Sequence, residues 1–119
     1  NPDIWIGTVS GSLEEFQGGK SIPVLGPTSN KNLAQKSLKR ALSAPTYQSL
    51  KAVQSGRAHG IWHNYYNSPF NIVAIESFAK WVHPELFKDL SPEKTMTDIY
   101  ERFLIFKLDG VYLTTLKVR

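Results

Sequence analysis

The 119-residue sequence contains no cysteine and only one methionine. Disulfide staples, thiolate metal sites and cysteine nucleophiles are therefore excluded. The lack of cysteine fits an oxidising compartment somewhat better than the cytosol. No apolar run approaches the roughly 20 residues that a membrane-spanning helix needs. No secretory signal pattern occurs within the sequence. The H-E-x-x-H, G-x-S-x-G, G-x-G-x-x-G and Walker spacings are all missing, so the common sequence grounds for a metalloprotease, a serine hydrolase or a phosphate loop are absent. There is neither an internal repeat nor a low-complexity segment.

What is present is ordinary globular material, with 41% hydrophobic and 20% charged residues. The length suits one domain with a modest core. The formal charge of +4 is spread along the chain. Its densest basic run, Lys31, Lys36, Lys39 and Arg40, has no acid inside it. That run reads as a solvated helix face, with a phosphate or anionic-membrane patch as the alternative.

Ile4-Trp5-Ile6 with Gly7-Thr8 is apolar on both faces, the pattern of a buried parallel strand. A small, hydroxyl-rich loop follows, Thr8 to Ser12. Ser12 and Glu15 form a capping box for a short helix, which Gly18-Gly19 stops. Ile22 to Leu25 reads as a second strand, placed at an edge or a strand start by Pro23. Leu33 to Leu42 is an amphipathic helix. Tyr47 to Gln54 is a short helix ending at Ser55-Gly56. Ala58 to Trp62 is a strand. Phe70 to Val82 is the strongest helical signal. Its Ile75, Phe78, Ala79 and Val82 set an inward stripe that Ile72, Val73, Ala74 and Trp81 widen, predicting burial on more than one side. Ser91-Pro92 starts a last helix running to about Leu104. Leu108 to Leu113 is a final extended piece. This order predicts an α/β fold: a three-layer open sheet with helices on both faces, incomplete because the first strand lies so close to Asn1.

The densest group of chemically capable side chains is His63-Asn64-Tyr65-Tyr66-Asn67, directly after the strand that ends at Trp62. In open α/β sheets ligands bind beyond the carboxyl ends of strands. An imidazole and two phenols can ligate iron-like ions. Aromatic faces with amide tips also suit a flat organic ligand or a chelate. If the chain stayed extended, Trp62, Asn64 and Tyr66 would point one way and His63, Tyr65 and Asn67 the other. The plainer alternative is that one or both tyrosines pack beneath the next helix. His59 reads as a core or edge histidine, His83 as a helix-end cation, and Glu14-Glu15 as partners of a helix dipole.

Four stretches resemble one known family. Asn1 to Thr8 is similar to a strand in the carboxyl lobe of ABC-transporter substrate-binding proteins, in the branch that carries iron-siderophores, haem or cobalamin. Leu50 to His59 resembles that family's lead into its last core strand. Ala79 to Phe87 resembles a helix end carrying a His-Pro-Glu-Leu-Phe motif. Ser91 to Leu104 is similar to its closing helix. The resemblance covers most of the chain in the right order, with Pro23 to Tyr47 the least familiar part.

It implies a partial carboxyl lobe over residues 1–112, with 113–119 as a tail outside the family pattern. It implies an extracytoplasmic receptor, periplasmic or anchored outside the membrane. Such a receptor holds an iron chelate or similar metal complex between two lobes and serves an ABC permease. The ligand contacts implied are Thr8, Ser10, Trp62, His63, Asn64, Tyr65, Tyr66 and Asn67. No cofactor is expected, and His63, Tyr65 and Tyr66 are the possible metal contacts. As a piece of a longer protein, the chain should neither enclose ligand nor dock on its own.

Two rivals stand beside this reading. One is a small metal-dependent or acid–base enzyme built on His59, His63 and Tyr65. Its two histidines would lie ~13 Å apart on a regular strand. The other is a basic module using the Lys31 to Arg40 face on nucleic acid, which the receptor reading does without. An unpaired sheet edge further predicts self-association.

Overall fold

A computed structural model describes residues 1–118. The elements run β1 (Trp5–Val9), α1 (Leu13–Gln17), α2 (Lys31–Ala41), α3 (Pro45–Gln48), α4 (Lys51–Gln54), β2 (Ala58–Trp62), a 3₁₀ turn (His63–Asn67), α5 (Asn71–Val82), α6 (Pro92–Phe103) and β3 (Leu113–Thr115). This is the expected α/β class. No helix among the described residues is long and apolar enough to cross a membrane. The chain divides into two compact units, Asn1–His63 with the chain from Gly110 onward, and Asn64–Asp109.

The first unit holds the sheet, in the order β1-β2-β3. β1 and β2 are parallel, from Trp5↔Ala58 to Val9↔Trp62. β3 pairs antiparallel with β2, with His59 opposite Thr115 and Ile61 opposite Leu113. The central strand is buried from Ala58 to Ile61, as expected of a strand with neighbours on both edges. Leu38 and Leu42 from the α2 end, Val53 of α4, Ala58 of β2 and Leu116 form one apolar cluster, with Trp5 and Leu50 against it. Val9, Leu25 and Ala34 form another, covered by Trp62 and Val111.

Local chemistry sets the helix starts. Ser12 Oγ accepts from Glu15 N at 3.1 Å while Glu15 Oε2 accepts from Ser12 N at 3.0 Å, which completes the capping box. Asn30 Oδ1 accepts from Leu33 N at 2.9 Å and starts α2 two residues before Leu33. Gly56, at φ 74°, takes the left-handed conformation that ends α4 before β2.

Three expectations are corrected. Ile22 to Leu25 is not a strand. Pro23 has no N–H to give, and side chains take the neighbouring backbone groups. Ser37 Oγ accepts from Val24 N at 2.8 Å and Ser29 Oγ donates to Val24 O at 2.7 Å. Only Gly26 makes a bridge, to Val111. The Tyr47 to Gln54 helix is two helices. Leu50 adopts ψ 130° between them and turns into the core. The extended end also lies later than Leu108 to Leu113, because β3 begins at Leu113. Residues 113–115 of the 113–119 tail are thus part of the sheet. Leu116 N donates to Ala58 O at 2.8 Å, and the Leu116 side chain is buried. Arg119 lies outside the described residues.

The second unit is a helical pair. Val73, Ala74 and Ser77 of α5 and Met96 of α6 are buried. Thr95 Oγ1 donates to Glu76 Oε2 at 2.8 Å. Phe70 stacks on Tyr100 at 5.7 Å. Ser91 caps α6 by accepting from Lys94 N at 3.3 Å, with Pro92 in the first turn. The inward stripe expected on α5 is reversed. Ile72, Ile75, Phe78 and Val82 are exposed, and the smaller Val73, Ala74 and Ser77 face inward.

Candidate functional site

The parallel pairing of β1 and β2 brings their carboxyl ends to one edge of the sheet, with Val9 beside Trp62. Ser10 and His63 are the first residues past those ends. Alternation along β1 leaves Thr8 exposed and drives Val9 into the core. Ser10 is exposed as well. Gly11 fixes the loop that follows. Its N–H donates to Pro23 O at 3.2 Å, and a Cβ at residue 11 would lie 2.6 Å from that same oxygen. The sequence signal for this role is a glycine between two serines in a small, hydroxyl-rich loop; the structure shows that the glycine serves the close approach to Pro23.

Trp62 is half-buried and has a packing role. Its indole meets Tyr112 edge-on at 5.1 Å. Gly26, at φ 114°, lies against it so closely that a Cβ would sit 2.7 Å from Nε1. The indole therefore walls the second core cluster.

Beyond Trp62 the chain does not stay extended. His63–Asn67 winds into a 3₁₀ turn, so the predicted two-way alternation does not hold. With three residues per turn, residues three apart align. Asn64 then shares a side with Asn67, and Tyr65 falls on another. Both asparagines and His63 are exposed.

The two adjacent tyrosines have opposite environments. Tyr65 is 1% exposed, and its hydroxyl donates to the Sδ of buried Met96. Tyr65 is thus a packing residue, which corrects its assignment as a ligand or metal contact. Tyr66 is 63% exposed. Its backbone is held because its carbonyl accepts from Asn71 Nδ2 at 3.1 Å. The residues that remain at the surface are Thr8, Ser10, His63, Asn64, Tyr66 and Asn67.

His59 is 6% exposed, with Nδ1 2.9 Å from Thr115 Oγ1 on the neighbouring strand. Burial lowers its pKa to about 4, and the nearby Arg57 charge adds to the effect. It stays neutral at physiological pH inside the sheet. Among the described residues, no three His, Cys, Asp or Glu side chains come together as a metal site. The surface donors at the turn are one imidazole, one phenol and two amides. That set suits stacking and hydrogen bonding.

An open groove of about 540 Å³ lies at the end of α6, lined by Thr97, Tyr100, Glu101 and residues 104–108. None of the candidate residues lines it.

No protein-family model matches the sequence. No curated protein matches it either. Among solved structures, the chain is similar to the TroA-like periplasmic binding protein FepB from Veillonella parvula, with a TM-score of 0.87 and 26% sequence identity. The match covers 98% of this chain and 32% of that one. The chain thus spans about a third of the length of the protein it matches.

Proposed function

Because the chain has the fold of a lobe of a TroA-like periplasmic binding protein, we propose that it serves the solute-binding component of an ABC importer and supplies part of the ligand surface. The observation that carries this reading is the fold match along nearly the whole chain. The solute class we favour is an iron chelate such as a siderophore complex or haem, or a similar metal complex. Here the metal is cargo and no resident cofactor takes part. The chemistry of the exposed residues supports the choice. Tyr66 offers an aromatic face for stacking on a flat chelate. His63, Asn64 and Asn67 offer polar tips for its oxygen atoms, and Thr8 and Ser10 offer hydroxyls beyond β1. The function is binding and release, with an ABC permease as the partner and a periplasmic or membrane-anchored extracellular location. The small-enzyme alternative has less support, because His59 and the Tyr65 hydroxyl are both buried and engaged.

The test is an NMR titration of the 119-residue chain with gallium(III) complexes of a hydroxamate and a catecholate chelator, and with gallium protoporphyrin. Gallium is a diamagnetic stand-in for ferric iron. Amide shifts confined to Thr8–Ser12 and His63–Asn67, weakened by Tyr66→Ala, are expected. Shifts that avoid both segments for all three probes would sink the site assignment.

A further inference from the structure

Between the 3₁₀ turn and α5, side chains take over from the backbone ladder. In a 3₁₀ turn each carbonyl accepts from the N–H three residues on, and in an α-helix from the N–H four residues on. For the Tyr66 carbonyl those donors would be residues 69 and 70. Residue 69 is a proline and has no N–H. The Phe70 N–H donates to the Ser68 hydroxyl, 3.3 Å away. The Tyr66 carbonyl is met instead by Asn71 Nδ2, at 3.1 Å and five residues on. The Asn71 N–H meanwhile donates to Ser68 O at 3.0 Å as α5 begins. An asparagine that caps a helix accepts from N–H groups ahead of it. Asn71 lies one position inside α5, and its carboxamide reaches back to the turn.

The tethered carbonyl belongs to the residue with the most exposed aromatic ring of the turn. On its amino side, Tyr65 is anchored: the ring is buried and the hydroxyl donates to Met96 Sδ. The Ser68 hydroxyl adds a bond to Tyr65 O at 3.5 Å. On its carboxyl side, Asn71 holds the Tyr66 carbonyl. The direction of a largely exposed ring follows its Cα–Cβ bond, and that bond follows the backbone on either side. A contact group held in its bound direction loses less freedom when ligand arrives. Given the receptor reading above, on which this inference rests, we propose that Asn71 is a positioning residue for ligand binding: its carboxamide tethers the Tyr66 carbonyl and so keeps the Tyr66 ring in its binding direction. Asn71 need not touch the ligand; it acts through Tyr66.

Asn71→Asp separates positioning from folding. The side chain keeps its size, but a carboxylate has no N–H to give the Tyr66 carbonyl and repels it. The first turn of α5 has no acidic residue, and a carboxylate there suits the helix dipole. The substitution should therefore leave Tm unchanged or raise it, while it loosens the turn and weakens binding. A residue with a purely structural role would lower Tm and binding together.

The test uses the 119-residue chain, with the gallium complexes of a hydroxamate, a catecholate and protoporphyrin as probes. Two quantities are read by NMR: the {1H}–15N NOE of Tyr66 and Asn67 without probe, and the apparent Kd from amide shifts with it. Asn71→Asp should lower the NOE values and raise Kd roughly two- to tenfold, the range that one ordinary hydrogen bond spans. In a Tyr66→Ala background the same substitution should leave Kd unchanged, because the ring it positions is gone. A loss that persists in that background shows direct contact between Asn71 and the probe and overturns the positioning role. NOE values and Kd that both stay unchanged in Asn71→Asp overturn it too, and leave the receptor reading standing where the parent chain binds through Thr8–Ser12 and His63–Asn67. A parent chain that binds none of the three probes overturns the receptor reading and this inference with it.

Discussion

α2 and α5 are of nearly equal length, 11 and 12 residues, but they treat their apolar residues oppositely. α2 buries Ala34 and Leu38 and leaves Lys31, Lys36, Lys39 and Arg40 outside. Arg40 caps the arrangement by lying 3.8 Å over the Phe16 ring and donating to Phe16 O at 2.7 Å. α5 buries a valine, an alanine and a serine and leaves two isoleucines, a phenylalanine and a valine in solvent. The difference teaches how to read an apolar stripe. On α2 the stripe and the core coincide because α2 has one partner surface. On α5 the sequence encodes two surfaces, and the chain by itself covers only the weaker one.

This contrast can be broken most directly by truncating one large residue on each helix. Leu38→Ala empties a fully buried position among Leu42, Val53, Ala58 and Leu116. It should lower the unfolding free energy by about 2–5 kcal/mol in urea melts. Ile75→Ala at low micromolar concentration should change it by no more than ~0.5 kcal/mol. Equal losses would show that the α5 face is covered after all.

The next largest effect concerns the loop core beside Trp62. Gly26→Ala places a methyl group against the indole and forces a left-handed φ on an L-residue. A loss of about 1–3 kcal/mol is expected, read as a lowered Tm. No change would mean that the Trp62 packing is looser than described.

His59 sharpens the contrast between a buried and an exposed imidazole. Its pKa is about 4 in the folded chain against an ordinary 6.5. The unfolded chain therefore takes up the proton first as pH falls. The stabilising contribution is complete above pH 6.5 and is lost progressively down to about 4, at no more than ~1.4 kcal/mol per pH unit. Urea melts across that window should show the slope, and His59→Gln should flatten it. A slope that survives in His59→Gln belongs to other groups.

The smallest effects separate the adjacent tyrosines. Tyr65→Phe leaves Met96 without its hydroxyl donor and should be destabilising by ~1 kcal/mol or less. Tyr66→Ala should leave stability within ~0.5 kcal/mol and act only on ligand binding. The reverse pattern would exchange their roles.

Much of this structure was legible before any coordinates. The capping box at Ser12, the Ser91-Pro92 helix start and the full extent of β2 each follow from side chains that act on their own neighbours. The failures share a cause. At Val24, the hydroxyls of Ser29 and Ser37 took the backbone groups that a strand would have used. At Leu50, the core drew one side chain inward and divided a helix. At Tyr65, a 3₁₀ turn took the place of an extended loop and the phenol was buried against Met96, a residue distant in sequence, while Tyr66 stayed exposed. The exposed half of the candidate site was legible, since polar tips after an apolar strand rarely pack inward as a group.

Taken alone, the sequence determined the class of the fold, the starts of α1 and α6 at Ser12 and Ser91, and the extent of β2. It also determined that α5 has two apolar faces, because periodicity is a local property. Only the tertiary structure decided which of those faces meets a partner within the chain, which tyrosine is buried, and that residues 113–115 close the sheet. Each of these depends on residues distant in sequence competing for the same space, and no local pattern records that competition.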